Sequence, residues 1–151
     1  VGDLGSRILY TANAGTTWQV RISEAITWQV SFGVYFLKGF PPGFSQGVGL
    51  GVIVGQGGSI ARTDTGGADI SFAPSCTTSH LRAVTFVDAG MGFAVGDGGA
   101  ICWSTDGGRS WAARLDDDGS GATMNAVHQW ADDSFAVAVG ARGRISAYQG
   151  A

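Results

Sequence analysis

The chain has 151 residues, enough for one ordinary domain, and carries 9 Lys+Arg against 12 Asp+Glu for a net charge of −3. Charged residues make up 14%, below the ~25% of a typical soluble domain, while hydrophobic residues reach 44% and glycine fills 26 positions. This balance excludes a disordered chain and a nucleic-acid backbone partner, and no run approaches the ~18 apolar residues of a membrane span.

The sequence opens on Val1 with no initiator Met and no basic leader, and is expected to be a mature or excerpted segment. Its first five residues, Val1-Gly2-Asp3-Leu4-Gly5, spell a tag V-G-x-x-G. The tag returns at Val54-Gly55-Gln56-Gly57-Gly58, Val95-Gly96-Asp97-Gly98-Gly99 and Val139-Gly140-Ala141-Arg142-Gly143. The spacings are 53, 41 and 44 residues, and an isoleucine follows each copy: Ile8, Ile60, Ile101 and Ile145. A phosphate-binding loop would need a helix after the glycines. Strand-like runs follow every copy instead, so the tag reads as a repeated backbone turn.

Three residues past each Ile comes a second motif. In the first repeat it is Thr11-Ala12-Asn13-Ala14-Gly15-Thr16-Thr17-Trp18. The second repeat has a degraded copy, Thr63 to Ile70, and the third a full one, Ser104-Thr105-Asp106-Gly107-Gly108-Arg109-Ser110-Trp111. The fourth breaks off at Ser146-Ala147-Tyr148. A third motif precedes the tag: Ser31 to Leu37 leads into Leu50 to Val54, Leu81 to Asp88 into Gly92 to Val95, and Met124 to Val127 into Phe135 to Val139. These are short β-branched and aromatic runs bounded by Gly, Asp and Asn, which is strand and hairpin chemistry. No segment holds a 3.6-residue apolar period over 11 residues.

Four short antiparallel strands per repeat, at a period of 41–53 residues, is the arithmetic of a β-propeller blade. The expected fold is all-β, with repeats at about 1–30, 31–77, 78–122 and 123–151. The repeats are out of phase with the termini. Strands are expected as two, four, four and three, making three to four blades with the terminal ones incomplete.

Ser104 to Trp111 matches Ser-x-Asp-x-Gly-x-Ser/Thr-Trp at every defined position. The chain thereby resembles the BNR/Asp-box propellers. Within them it is most similar to the photosystem II assembly and stability factor group. That likeness rests on Val84-Thr85-Phe86, Gly92 to Gly96, Gly99-Ala100-Ile101 and Asp106 to Trp111. The resemblance implies that the box is a fold element away from the ligand face. Ser104, Asp106, Gly108 and Trp111 are its structural residues, with Thr11, Asn13, Gly15 and Trp18 in the first copy. Asp106 is expected to accept backbone N–H groups of its own turn, and Asn13 to do much the same. Trp111 offers a large apolar face to the neighbouring layer.

The interval from Val34 to Val54 exceeds its equivalent, Val84 to Val95, by about nine residues around Lys38 to Gln46. That insertion carries Phe40 and Phe44, with Tyr35 and Phe36 just upstream, and reads either as a partner-contact surface or as a loop folded over its own blade. Arg62, Arg82, Arg142 and Arg144 fall near repeat positions that could line one face. The resemblance implies an arginine patch for docking a protein, and Arg82, Arg142 and Arg144 are its candidates. Asp116-Asp117-Asp118-Gly119-Ser120-Gly121 opens like a calcium loop, with Asp116, Asp118 and Ser120 as candidate ligands. The twelfth position is Val127 rather than Glu, so the segment reads first as a solvated acidic linker.

Cys76 and Cys102 lack zinc spacing; one disulfide and two buried thiols both stay open. Sialidases share the Asp box, but Tyr10, Tyr35 and Tyr148 sit in no matching site motif. His80 and His128 have no nucleophile motif around them. The expectation is a non-catalytic scaffold without cofactor or metal, binding a protein partner or its own copies through incomplete blades. The alternatives are a structural subunit of an extracellular filament and a fragment of a carbohydrate-active propeller, sialidase-like or xyloglucanase-like. The expected setting is secreted or lumenal. No Asn-x-Ser/Thr sequon occurs, while O-linked glycan stays open on the many Ser and Thr residues.

Overall fold

The computed structural model describes residues 8–11, 13, 15–21, 30–37, 49–67, 69–114, 119–129 and 135–149. Within them run thirteen short strands: β1 (Ile8–Tyr10), β2 (Gln19–Arg21), β3 (Ser31–Phe36), β4 (Gly51–Gly55), β5 (Ile60–Thr63), β6 (Ser71–Ala73) and β7 (Leu81–Phe86). They continue as β8 (Gly92–Gly96), β9 (Ile101–Ser104), β10 (Ala112–Arg114), β11 (Met124–Gln129), β12 (Phe135–Gly140) and β13 (Ile145–Gln149). Consecutive strands pair antiparallel into four sheets: β1-β2, β3-β4-β5-β6, β7-β8-β9-β10 and β11-β12-β13. These are blades one to four, in the two, four, four, three pattern the repeats imply. No α-helix occurs among the described residues.

The central strands explain why the blades stack. All five positions of β4 and of β8 are buried, so both faces of each strand meet neighbours. Alternation along β4 divides its side chains between two interfaces. Val52 and Val54 enter the core between blades two and three, beside Leu81, Val84 and Phe86. Ile53 turns the other way and joins Ala61, with Ile8 of blade one packed against them. Val95 does the same job toward blade four, meeting Met124 and Ala138. Each such aliphatic side chain contributes roughly 1.5–3 kcal/mol when fully buried.

A disulfide joins Cys76 to Cys102, with Cα atoms 5.8 Å apart. Cys76 lies in the linker between β6 and β7, and Cys102 lies on β9, so the bond closes 26 residues across the interface of blades two and three. Loop closure of that length is worth roughly 3 kcal/mol in the chain-entropy account.

Each of the three tags within the described residues becomes a short 3-10 turn between the second and third strands of a blade. Each turn is also tied to the preceding linker. Gln56 N donates to Val30 O, Asp97 N to His80 O and Ala141 N to Thr123 O, all at 2.8 Å. Each first strand starts with a register shift, between Ser31 and Gly33, Leu81 and Ala83, and Met124 and Ala126. Such bulges re-aim a side chain. Here the extra residues are Phe32, Arg82 and Asn125, all exposed. Since successive strands reverse direction, the tag turns and linkers gather at one rim of the stack. The Ser104-to-Trp111 turn and its equivalents gather at the opposite rim.

Candidate functional site: two rims of unequal chemistry

The box rim is built for rigidity. Ser104 Oγ accepts the Gly108 N–H at 2.9 Å and donates to Asp106 Oδ1 at 2.8 Å. Asp106 Oδ1 also accepts the N–H groups of Arg109 at 2.9 Å and Ser110 at 3.0 Å, and Ser110 Oγ donates to Oδ2 at 2.5 Å. Gly107 and Gly108 supply φ of 73° and 79°, a region that disfavours side chains. Trp111 Nε1 donates to Gly108 O at 3.2 Å, and only 7% of the residue is exposed.

The first copy repeats this wiring with an amide. Thr11 Oγ1 accepts from Gly15 N at 2.9 Å, and Asn13 Oδ1 from Thr17 N at 2.9 Å. In the degraded copy hydroxyls stand in: Thr63 Oγ1 accepts from Gly67 N at 2.9 Å, and Thr65 Oγ1 from Asp69 N at 2.8 Å. Trp18 differs from Trp111 in being 59% exposed. Arg62 belongs to this rim as well. Its Nε donates to Gly107 O at 2.7 Å and its Nη1 pairs with Asp64 at 2.9 Å, so it serves blade packing.

Partial desolvation pushes the Asp106 carboxyl up, but hydrogen bonds from Ser110, Ser104 and Arg109 outweigh it and hold the pKa at about 2. A depressed native pKa stabilises the fold above the ordinary carboxylate value of 3.8, and that contribution is lost as pH falls toward 2. For a partly exposed group we expect about 1–2 kcal/mol, after discounting for solvent screening. Urea unfolding of wild type and Asp106→Ala should therefore differ by about that much at pH 7 and converge between pH 4 and pH 2. A difference independent of pH would contradict this account.

The tag rim gathers aromatic and charged side chains. Between blades two and three it brings together Phe32 of β3, His80 of the linker, Arg82 of β7 and Asp97 of the tag turn. The Phe32 and His80 rings lie 5.9 Å apart. The Arg82 guanidinium carbon lies 5.9 Å from the Phe32 ring centre, within cation–π range. Arg82 also pairs with Asp97 through both carboxylate oxygens, with Nη2 to Oδ2 at 3.2 Å. The Arg82 guanidinium holds the Asp97 carboxyl below the usual range, and Asp97 in turn raises Arg82. His80 Nδ1 accepts the Gly57 N–H at 3.0 Å, which leaves Nε2 as the protonated nitrogen of the neutral ring. Phe32 is 39% exposed, a high value for a ring with this many neighbours.

Of the other arginines, Arg142 sits in the tag turn of blade four at φ 60°, where the other two described turns place Gly57 and Gly98. A non-glycine residue there bears strain, and such outliers cluster at functional sites. Arg144 follows it, bonding Ser146 Oγ and Ser120 Oγ. Asp116 and Asp118 of the acidic segment, and Phe40 and Phe44 of the insertion, lie outside the described residues.

Tyr35 and Phe36 part company. Tyr35 Oη donates to Phe86 O at 3.2 Å and its ring stacks on Phe86 at 5.8 Å, so it knits blade two to blade three. Burial pushes its hydroxyl pKa up. Phe36 is instead exposed, lining a cavity of about 350 Å³ with Ile8, Trp18, Val34, Ile53 and Ile70. Among the described residues, no group of three or more His, Cys, Asp or Glu could hold a metal ion.

Of the tag-rim cluster only Arg82 is a sequence-based candidate; Phe32 and Asp97 read as parts of a strand and a turn, and His80 as a lone linker histidine. Phe32 and Arg82 do share a signal, as the second residues of β3 and β7.

No protein-family model matches this chain, and no curated protein matches it. Solved structures do match. A structure described as YCF48 bound to D1 peptide has a TM-score of 0.67 and 21% identity, over 97% of this chain and 44% of that one. YCF48 from Cyanidioschyzon merolae has a TM-score of 0.60, again at 21% identity, over 79% of this chain and 36% of that one. The chain thus spans less than half the length of either structure. At this identity the likeness establishes architecture, and this chain is an all-β array of antiparallel propeller blades, two of them four-stranded among the described residues.

Proposed function

We propose that this chain is a non-catalytic docking scaffold of the Asp-box propeller kind, and that a protein segment docks on its tag rim. One observation carries the reading. Phe32, His80, Arg82 and Asp97 come from four separate chain elements and meet at one partly exposed rim. An aromatic ring beside an arginine is the residue chemistry enriched where partners bind. The box rim has its polar groups spent on its own turns. The sequence resemblance to photosystem II assembly factors and the peptide held by one YCF48 structure both favour a protein ligand. The disulfide favours an oxidising setting such as a lumen or the cell exterior. No helix among the described residues is long and apolar enough to cross a membrane.

The test is fluorescence anisotropy with a labelled D1 peptide as probe. Arg82→Ala and Phe32→Ala are each expected to weaken binding by about tenfold, or ~1.4 kcal/mol. Arg82 and Asp97 form an exposed pair, so stability is expected to change by less than about 1 kcal/mol. Unchanged affinity in both variants, or no binding by wild type, would overturn the reading.

A second reading, self-association between blades, draws support from Val139 and Ile145. They are 43% and 72% exposed, whereas their equivalents Val54 and Ile60 are each 1% exposed against blade three. Light scattering across a concentration series separates the two readings.

A further inference from the structure

The cross-link between blades two and three lies in the same linker that delivers His80 to the tag rim. Cys76 and His80 are four residues apart, and between them the chain lies directly on the tag turn of blade two. A Cβ added to Gly58 would come 1.9 Å from Thr77 O, so linker and turn are in close contact. His80 then joins two turns at once. Its Nδ1 accepts from Gly57 N at 3.0 Å in blade two, and its carbonyl accepts from Asp97 N at 2.8 Å in blade three. Local bonds such as Ser79 N to Thr77 Oγ1 at 3.0 Å shape the linker but do not attach it to β9. The disulfide does that.

The repeat provides its own comparison. The position of Cys102 is occupied by Ala61 in blade two and Ser146 in blade four, as the pairings Ala61↔Ile53, Cys102↔Ala94 and Ser146↔Ala138 show. The strand therefore does not need a cysteine there for its fold. The bond is an addition peculiar to the interface that carries Phe32, His80 and Arg82.

We propose that the Cys76–Cys102 disulfide is a latch that holds the linker and His80 in place, so that the tag rim is assembled only in the oxidised chain. The latch concerns the chain's own geometry; its consequence for docking rests on the function proposed above. A dithiol such as dithiothreitol opens the bond in two exchange steps. Cys102 is fully buried, so the attacking thiolate reaches Cys76 Sγ and displaces Cys102, which takes up a proton. The second thiol of the reductant then attacks the mixed disulfide and frees Cys76 as a thiol. The reductant leaves as a disulfide, and the chain has gained two electrons and two protons. With the cross-link gone, the linker recovers conformational freedom that opposes the two His80 bonds.

Hydrogen exchange at individual amides tests this without any partner. The chain is compared oxidised, reduced with dithiothreitol, and as the double variant Cys76→Ser, Cys102→Ala, with free thiols confirmed by alkylation. The Gly57 and Asp97 amides are expected to exchange at least about tenfold faster in both disulfide-free states. The Ala141 amide, which makes the equivalent bond to Thr123 O in blade four, is expected to hold within about twofold. Unchanged exchange at Gly57 and Asp97 overturns the latch. Equal acceleration at all three amides also overturns it, because the bond would then be a staple of the whole fold. Anisotropy with the labelled D1 peptide on the same samples separates the two claims. Faster exchange with unaltered peptide affinity sinks the docking role of this rim and leaves the latch standing.

Discussion

Replacing Trp111 by Ala is expected to cost about 3–5 kcal/mol of unfolding free energy. The indole is 7% exposed and joins the core between blades two and three. Its ring meets Phe86 edge-on, with centres 5.9 Å apart at 84°, and Phe86 is stacked on Tyr35 of the neighbouring blade. Removing it opens a cavity at an inter-blade contact and takes the Nε1 donor away from Gly108 O. The neighbouring side chains, Phe86, Tyr35 and Val52, stand on strands already paired within their own sheets, which limits collapse into the gap. Trp18, at the same place in the first box, is 59% exposed, and Trp18→Ala is expected to cost less than about 1 kcal/mol. Urea denaturation of both variants measures the contrast. Similar losses at the two sites would contradict a core role for Trp111.

That contrast marks where sequence stops carrying information. The box residues are local: Ser104, Asp106 and Ser110 satisfy a turn of eight residues among themselves, so their pattern announces the turn wherever it occurs. The strand runs are legible for the same reason, since Val52-x-Val54 in β4 and Phe93-x-Val95 in β8 can be placed by their period of two. Whether a box Trp is buried depends on the next blade. Trp111 finds Val52 and Tyr35 beside its blade, whereas Trp18 borders the cavity under Phe36. The tag rim is less legible still. Phe32 and His80 are 48 positions apart in sequence, and what unites them is the pairing of linker carbonyls with tag turns. The disulfide was one of two open readings, because a spacing of 26 residues says nothing about which blades face each other.

Gly96→Ala is expected to destabilise the chain by at least about 3 kcal/mol, or to prevent folding, although nothing in its local backbone forbids alanine. Its φ is −170°, an extended value open to any residue. The obstacle is contact: an added Cβ would lie 1.9 Å from His80 O and 2.8 Å from the Cα of Leu81. Both atoms are backbone, so no side-chain rotation relieves the overlap, and the linker would have to lift off the turn. Gly55 and Gly140 face the same approach, at 2.2 Å from Val30 O and Thr123 O. Gly57 gives the opposite case. An added Cβ meets nothing within 4 Å there, but φ is +64°, so Gly57→Ala is expected to cost only about 1–2 kcal/mol of backbone strain. Thermal unfolding of the two variants decides between them, and a larger loss at Gly57 would refute a contact-based role for the tag's first glycine. The tag's conserved spelling within this one chain thus has two causes: its first Gly admits the linker carbonyl, and its last permits the positive φ that closes the turn. The first cause links fold to site. The carbonyl that Gly96 admits belongs to His80, so whatever displaces it also displaces the imidazole from Phe32 and Gly57.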